Sequence, residues 1–123
     1  MRQTKFFEVK KPRQTTGYFR RIFWNDYFDL FVSYDLGRKL VGFQLCYAKN
    51  SSREKALIWR EGRGYCHYNG GDEGSGIKQK PRMWGSPTFA KEEIGQRFTR
   101  AARELDQSLR EFILRKILEY PDK

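Results

Sequence analysis

His67 is the only imidazole in the chain, so any histidine-based acid–base or nucleophilic arrangement has to run through it. Its chain neighbours are Cys66 and Tyr68. On a strand, adjacent side chains point to opposite faces, so Cys66 and His67 do not form a dyad. Cys46, the second of two cysteines, reaches His67 only if the strand order brings them together. Zinc asks for four ligands at short spacings, and two thiols twenty residues apart with one imidazole do not supply them. Asp29, Ser33 and Gln44 make a polar strip on a strand face, with Asp29 and Gln44 expected as cross-strand partners. With His67 they are the candidates for a small active surface. The same residues read more simply as the solvent side of an antiparallel sheet carrying a half-exposed histidine. No catalytic set, metal site or cofactor is read from them, and Asp29, Gln44 and His67 stand as candidates only.

Gly70, Gly71, Gly74 and Gly76 invite a phosphate-loop reading. That loop needs G-x-x-x-x-G-K-[ST] running straight into a helix, and the dinucleotide fingerprint needs a βαβ unit. Here Ile77 follows Gly76, and about ten residues, Pro81 among them, come before the helix that Pro87 opens. Asp72 and Glu73 are adjacent rather than alternating as in a calcium loop. A connector is the reading that fits.

Cations beside stackable rings are the remaining pattern. Lys5-Phe6-Phe7, Lys10-Lys11-Pro12-Arg13, Tyr18-Phe19-Arg20-Arg21 and Lys78-Gln79-Lys80-Pro81-Arg82-Met83-Trp84 carry it. Nucleic acid needs both parts: Lys and Arg displace phosphate counterions, and rings stack on unpaired bases. The expected phosphate contacts are Lys10, Lys11, Arg13, Arg20, Arg21, Lys78, Lys80 and Arg82, with Tyr18 and Trp84 for stacking. Arg38 to Leu45 echoes an RNA-recognition strand, but that fold needs helices between its strands and none is expected before residue 86. A solvated tail that aids solubility is the competing reading of these segments.

The net charge of +10 is unevenly spread. Residues 1–21 hold seven Lys/Arg and one Glu, for +6, and residues 22–76 hold seven of each sign, for zero. Residues 77–90 add +3, and residues 91–123, with eight against seven, add +1. The expected body is close to neutral, and the charge sits on an N-terminal arm and on the loop before the helix.

These residues need elements to hold them. A chain of 123 residues predicts one domain. Ten Phe, seven Tyr and three Trp, each burying about 150–250 Å², supply a core despite a mean hydropathy of -0.85. No run approaches the roughly 18 apolar residues of a membrane span. Met1 to Val9 has no apolar signal-peptide region, so the expected compartment is the cytoplasm, with both cysteines as buried free thiols.

Period-two alternation between turn signals predicts strands over Tyr18 to Trp24, Tyr27 to Tyr34, Lys39 to Ala48, Lys55 to Arg60 and Tyr65 to Tyr68, with Thr4 to Val9 as a candidate edge strand. A turn pairing Tyr34 with Lys39 sets Val32 opposite Val41, Leu30 opposite Phe43 and Phe28 opposite Leu45. A two-residue loop after Arg60 sets Trp59 across from Cys66 and Ile58 across from His67. Ser86-Pro87 resembles an N-cap and first helical position. From Ile94 through Phe98, Ala101, Leu105, Leu109, Phe112, Ile113 and Ile117, three- and four-residue steps predict one amphipathic helix of about seven turns, stopped before Pro121.

The expected fold is therefore α+β: an antiparallel β-meander of four to six strands packed against one long C-terminal α-helix. The bounds are 1–17 for the basic arm, 18–68 for the meander, 69–86 for the loop and 87–120 for the helix. Tyr27-Phe28-Asp29-Leu30, Gly42-Phe43-Gln44-Leu45-Cys46-Tyr47 and Ala56-Leu57-Ile58-Trp59 resemble a group of small uncharacterised bacterial proteins over about residues 18–68. That resemblance implies a bacterial cytoplasmic protein and carries no activity or site residue across.

The leading functional expectation is a non-enzymatic module for nucleic acid or another acidic macromolecule, with no membrane partner. A homodimer using Phe31, Leu40 and Ile58 on the sheet face away from the helix is the alternative. A small enzyme at the polar strip is the third.

Overall fold

The computed structural model of the chain describes residues 4–9, 14–15, 18–49, 51, 54–69 and 89–121. Lys10, Lys11, Arg13, Lys78, Lys80, Arg82, Trp84 and the Ser86-Pro87 helix start lie outside these residues. Among the described residues seven antiparallel strands form one sheet: β1 (Phe7–Glu8), β2 (Gln14–Thr15), β3 (Tyr18–Trp24), β4 (Phe28–Asp35), β5 (Leu40–Tyr47), β6 (Lys55–Arg60) and β7 (Gly64–Asn69). Their order is β1-β3-β4-β5-β6-β7, with β2 also on β3. Two helices follow, α1 (Lys91–Ala101) and α2 (Gln107–Leu118). Neither is long and apolar enough to cross a membrane.

Alternation decides which face is covered. Phe23, Phe28, Leu30, Val32, Phe43, Leu45 and Leu57 are buried on one side of the sheet, against Ile94, Phe98, Ala101, Ala102, Leu109, Ile113 and Ile117 of the helical segment. Phe6, just before β1, puts its ring within 6.2 Å of Phe23 and 5.8 Å of both Phe28 and Phe98. Asn25 closes the β3–β4 turn: its Oδ1 accepts from the backbone N–H of Tyr27 and Phe28, and its Nδ2 donates to the Thr4 carbonyl.

Two registers differ from the sequence expectation, with different consequences. In the β4–β5 hairpin, Phe28 pairs with Tyr47, Leu30 with Leu45 and Val32 with Phe43, and a bulge follows Ser33 so that Tyr34 pairs with Leu40. Over the strands this is a slip of two residues, which keeps every side chain on its face. At the bulge the parity changes, and Leu40 packs against the helix-side core instead of the face away from it. In the β6–β7 hairpin the loop has three residues, Glu61 to Arg63, with Gly62 and Gly64 both at φ 84. Trp59 then pairs with Tyr65, Ile58 with Cys66 and Leu57 with His67. That slip of one residue turns His67 into the core.

The expected single helix is broken between Ala102 and Asp106. Size explains why. At 1.5 Å per residue, one helix over 87–120 would run about 51 Å, whereas six strands about 4.8 Å apart span only about 24 Å. Doubling back lets both halves cover the sheet. The start of α1 and the end of α2 lie side by side, with Lys91 Nζ donating to the Tyr120 carbonyl at 3.0 Å. The broken turn is held from three sides. Phe6 N–H donates to the Ala101 carbonyl, Arg110 Nη1 donates to the carbonyls of Arg103 and Leu105, and Arg21 pairs with Asp106. The apolar steps run unbroken through the turn, so periodicity alone could not reveal it.

Gly42 tests the tightness of the sheet. A Cβ there would lie 2.9 Å from the Trp59 carbonyl oxygen on the neighbouring strand. Gly42→Ala is expected to destabilise the fold by about 1–3 kcal/mol, lowering the urea midpoint at unchanged m. Gly37→Ala, whose Cβ would meet nothing closer than 3.4 Å, is expected to stay within about 0.5 kcal/mol of the parent.

Candidate nucleic-acid interface

Arg20 and Arg21 are adjacent in β3, so the sheet sends them to opposite faces. Arg21 faces the helices. Its Nε and Nη2 bind the two oxygens of Glu8 at 2.9 and 3.0 Å, Nη1 lies 3.6 Å from Asp106, and the guanidinium stands 5.1 Å from the Phe23 ring centre. The Glu8 hydrogen bonds push its pKa far above the usual arginine value. Arg21 is thus a clamp joining β1, β3 and the start of α2, its guanidinium engaged by two carboxylates. Arg20 faces the other way, with its guanidinium 5.5 Å from the Phe31 ring centre. Tyr18 stands two positions before it in β3.

The polar-strip candidates separate. Asp29 and Gln44 are on the face away from the helices, where Asp29 pairs with Cys46 and Gln44 with Phe31 rather than with each other. Asp29 forms an ion pair with Lys49 at 3.0 Å. Ser33 is buried between neighbouring strands. His67 is on the opposite face, 0% exposed rather than half-exposed. Its Nε2 shares a 2.6 Å hydrogen bond with the Tyr47 hydroxyl, and the rings of Tyr47, Phe89 and Tyr120 surround it. The sheet therefore stands between His67 and the other three, and no common active surface includes them all.

Cys46 and Cys66 are free and half-buried on the open face, with β6 between their strands. Burial raises both thiol pKa values, which keeps the sulfurs protonated at neutral pH. Among the described residues no group of three or more His, Cys, Asp or Glu side chains could hold a metal ion.

Both helices pack on the His67 side, and the opposite face presents three rows of side chains. One runs Trp24, Asp29, Cys46, Ala56, the next Ile22, Phe31, Gln44, Ile58, Cys66, and the third Arg20, Ser33, Gly42, Arg60. Phe7 pairs with Trp24 across β1–β3, their rings edge to face at 5.4 Å and exposed at 41% and 37%. Lys49 Nζ lies 5.6 Å from the Trp24 ring centre.

Among the described side chains of this face, Trp24 and Phe31 each carry a cation, a contact worth about 0.5–1 kcal/mol at an exposed site. Arg20 Nε is buried with no hydrogen-bond partner among the described residues. Charge is graded along the strands. At the Trp24 end Lys49 is neutralised by Asp29. At the other end the described strands and turns carry Arg20, Arg38, Lys39, Arg60 and Arg63 against the two acids Asp35 and Glu61.

Sequence reasoning named Arg20 as a contact, Phe7 within the cation–ring pattern and Phe31 on the face away from the helix, but missed Trp24 and Lys49. Alternation already put Phe31 off the core face, and the turn at Asn25 marked Trp24 as a strand end. Lys49 carried no signal, because its place over Trp24 comes from the loop after β5. No family model, curated protein sequence or solved structure matches the chain.

Burial raises the hydroxyl pKa of Tyr27, Tyr34 and Tyr47, and pushes Tyr65 up to about 12 from 10.0. A raised folded pKa gives stability that is complete below the unfolded value and lost as pH climbs through the folded one. Urea midpoints are thus expected to be independent of pH near neutrality as far as these tyrosines are concerned, with their contribution fully present, and to fall as pH rises from about 10 to 12. Tyr65→Phe should blunt that alkaline loss, at a cost of about 1 kcal/mol for the bond from the Tyr65 hydroxyl to the Lys116 carbonyl.

Proposed function

We propose that the chain is a non-enzymatic module that binds single-stranded nucleic acid on the open face of its sheet. The observation that carries this reading is the pairing of accessible rings with cations on an uncovered face: Trp24 under Lys49 and Phe31 under Arg20. Stacking on such rings is tolerant of sequence, and Lys and Arg beside them replace phosphate counterions. Among the described residues Arg20 is held by a ring and has no carboxylate within ion-pair distance, which leaves its outer nitrogens to donate to an acceptor that arrives from outside.

Spacing favours single strands over duplex. Trp24 is opposite Asp29, and Phe31 is two residues further along the same strand. Such diagonal neighbours are about 7–8 Å apart, more than twice the roughly 3.4 Å between bases stacked in one strand of a duplex. A strand that engages both rings must have its bases unstacked from each other, which an intact duplex does not allow.

Anisotropy titrations of labelled single-stranded and duplex oligonucleotides at two salt concentrations test the reading. Single strands are expected to bind more tightly than duplex, with an affinity that falls steeply with salt. Trp24→Ala and Phe31→Ala should each weaken binding by roughly 5- to 150-fold, about 1–3 kcal/mol per stacked base. A duplex preference, or both variants binding as the parent does, would sink it.

The row Ile22, Phe31, Ile58 gives a second reading, a contact with another copy of the chain across the same face. All three are half-buried on one cross-strand row over β3, β4 and β6, with Gln44 of β5 between Phe31 and Ile58. Light scattering separates the two: a dimer that Ile58→Lys dissociates supports the second reading, and a monomer at high concentration removes it.

A further inference from the structure

We propose that the groove between the β4–β5 turn and the first turn of α2 holds one unpaired nucleotide, with its base on the Phe19–Tyr34 ring pair and its phosphate on Arg38. The proposal rests on the single-strand reading of the open face and carries the strand around the end of the sheet, from Arg20 to its neighbour Phe19 on the other side.

The groove encloses about 540 Å³. Phe19 and Tyr34 form one wall, stacked 5.2 Å apart with their planes within 14°. Leu40 and Phe112 supply apolar contact beside them. The Arg38 guanidinium lies 5.6 Å from the Phe19 ring centre. A planar base suits the ring wall, and a phosphate attached to it suits an arginine fork at the rim.

The backbone of Arg38 is a second, independent observation. Its φ is 67, in the left-handed region that non-glycine residues seldom occupy. Three-residue hairpin loops usually place glycine at such a position. Here the glycine of the turn, Gly37, stands one residue earlier and has no positive φ. Asp35 enforces the conformation. Its carboxylate accepts from the N–H groups of Gly37 and Lys39, and its carbonyl accepts from Arg38 N–H. Backbone held in a sparse region clusters at ligand clamps. Here the strain places a cation over a ring.

Charge singles out the same residue. Lys39 is paired with Glu61, and Arg21 with Glu8 and Asp106. Among the described residues no carboxylate lies within ion-pair distance of Arg38. Asp106 lines the groove but faces Arg21 at 3.6 Å, so the acid at the rim is already countered.

Two variants and two oligonucleotides test the proposal. A short single strand of roughly four nucleotides covers the open face, and one of roughly twelve reaches around it. Arg38→Asn suits the left-handed backbone, so its thermal midpoint should match or exceed the parent's, and it keeps the test valid if Phe19→Leu folds poorly. On the longer strand Arg38→Asn is expected to reduce the salt slope by about 0.7, one phosphate contact, and Phe19→Leu to weaken binding roughly tenfold. Neither should alter the short strand, which Trp24→Ala weakens.

A free nucleoside monophosphate that shifts the Phe19 and Arg38 amide resonances in the parent but not in Arg38→Asn also supports the site, with a mononucleotide as its source. If both variants bind the longer strand as the parent does while Trp24→Ala weakens it, the groove is excluded and the open face stands. If no oligonucleotide binds, both ideas fall. If polyglutamate competes for the groove as well as the oligonucleotide does, the nucleotide assignment is overturned in favour of an acidic peptide.

Discussion

Four phenylalanines decide how this chain is arranged. Phe6 leads into the edge strand, Phe23 and Phe28 flank the first hairpin turn, and Phe98 comes from α1, and their rings meet in one cluster. Each ring buries about 150–250 Å², so the cluster outweighs any single polar contact near it. It also fixes which side of the sheet the helices take. Once Phe98 is seated against Phe28, Ile94 and Ala101 must face the sheet too, and the chain has to turn at Ala102 for Leu109, Ile113 and Ile117 to reach the remaining strands. The open face is left over by this packing. Among the described residues both helical segments cover the same side of the sheet, an arrangement that antiparallel sheets accommodate.

Parity is the thread that connects the fold to the site. Strand side chains alternate, so a single residue of register decides between core and surface. The chain shows this twice at neighbouring positions. Arg20 and Arg21 are the same chemical group one residue apart, and one meets an open face while the other is clamped by Glu8 and Asp106. Likewise the three-residue loop after Arg60 sends His67 to the Tyr47 hydroxyl and leaves Cys66 on the open side. A loop one residue shorter would exchange them.

The strands were legible because each carries alternation bounded by strong turn residues. Tyr18 to Trp24 and Lys55 to Arg60 are bounded in the sequence where they are bounded in the fold. Registers were not, since they depend on turn geometry that composition does not fix. Asp35 accepts two backbone N–H groups and Arg38 adopts a left-handed φ, and together with the bulge they shift the pairing by two. Neither follows from the residue types Asp-Leu-Gly-Arg alone. The helix break was hidden for a different reason. Ala101 to Asp106 contains no glycine or proline, and the break answers to the width of the sheet, a tertiary constraint that no local window contains. Of the candidate interface, the presence of cations beside rings was legible, but their grouping was not. Lys49 and Trp24 are 25 residues apart and meet only because the first hairpin turn and the loop after β5 lie at the same end.

The grading of charge along the strands follows from where the turns fall. Apart from Arg20 and Arg21 within β3, most charged residues of the sheet collect at the strand ends and turns. At the Trp24 end the anchoring demands of Asn25 and Asp29 draw Lys49 into local bonds, to the Asn25 carbonyl at 2.9 Å and the Asp29 carboxylate at 3.0 Å. At the opposite end the two hairpin turns bring Arg38, Lys39, Arg60 and Arg63 together, and Asp35 is engaged in holding its own turn. Arg60 closes one edge of the small-residue row at Ser33 and Gly42, where larger side chains would block access between it and Arg20. Gly42 is small because the Trp59 carbonyl leaves no space for a Cβ. A packing requirement on one strand thereby opens the shallow path that joins two cations, without any residue having to be placed for that purpose.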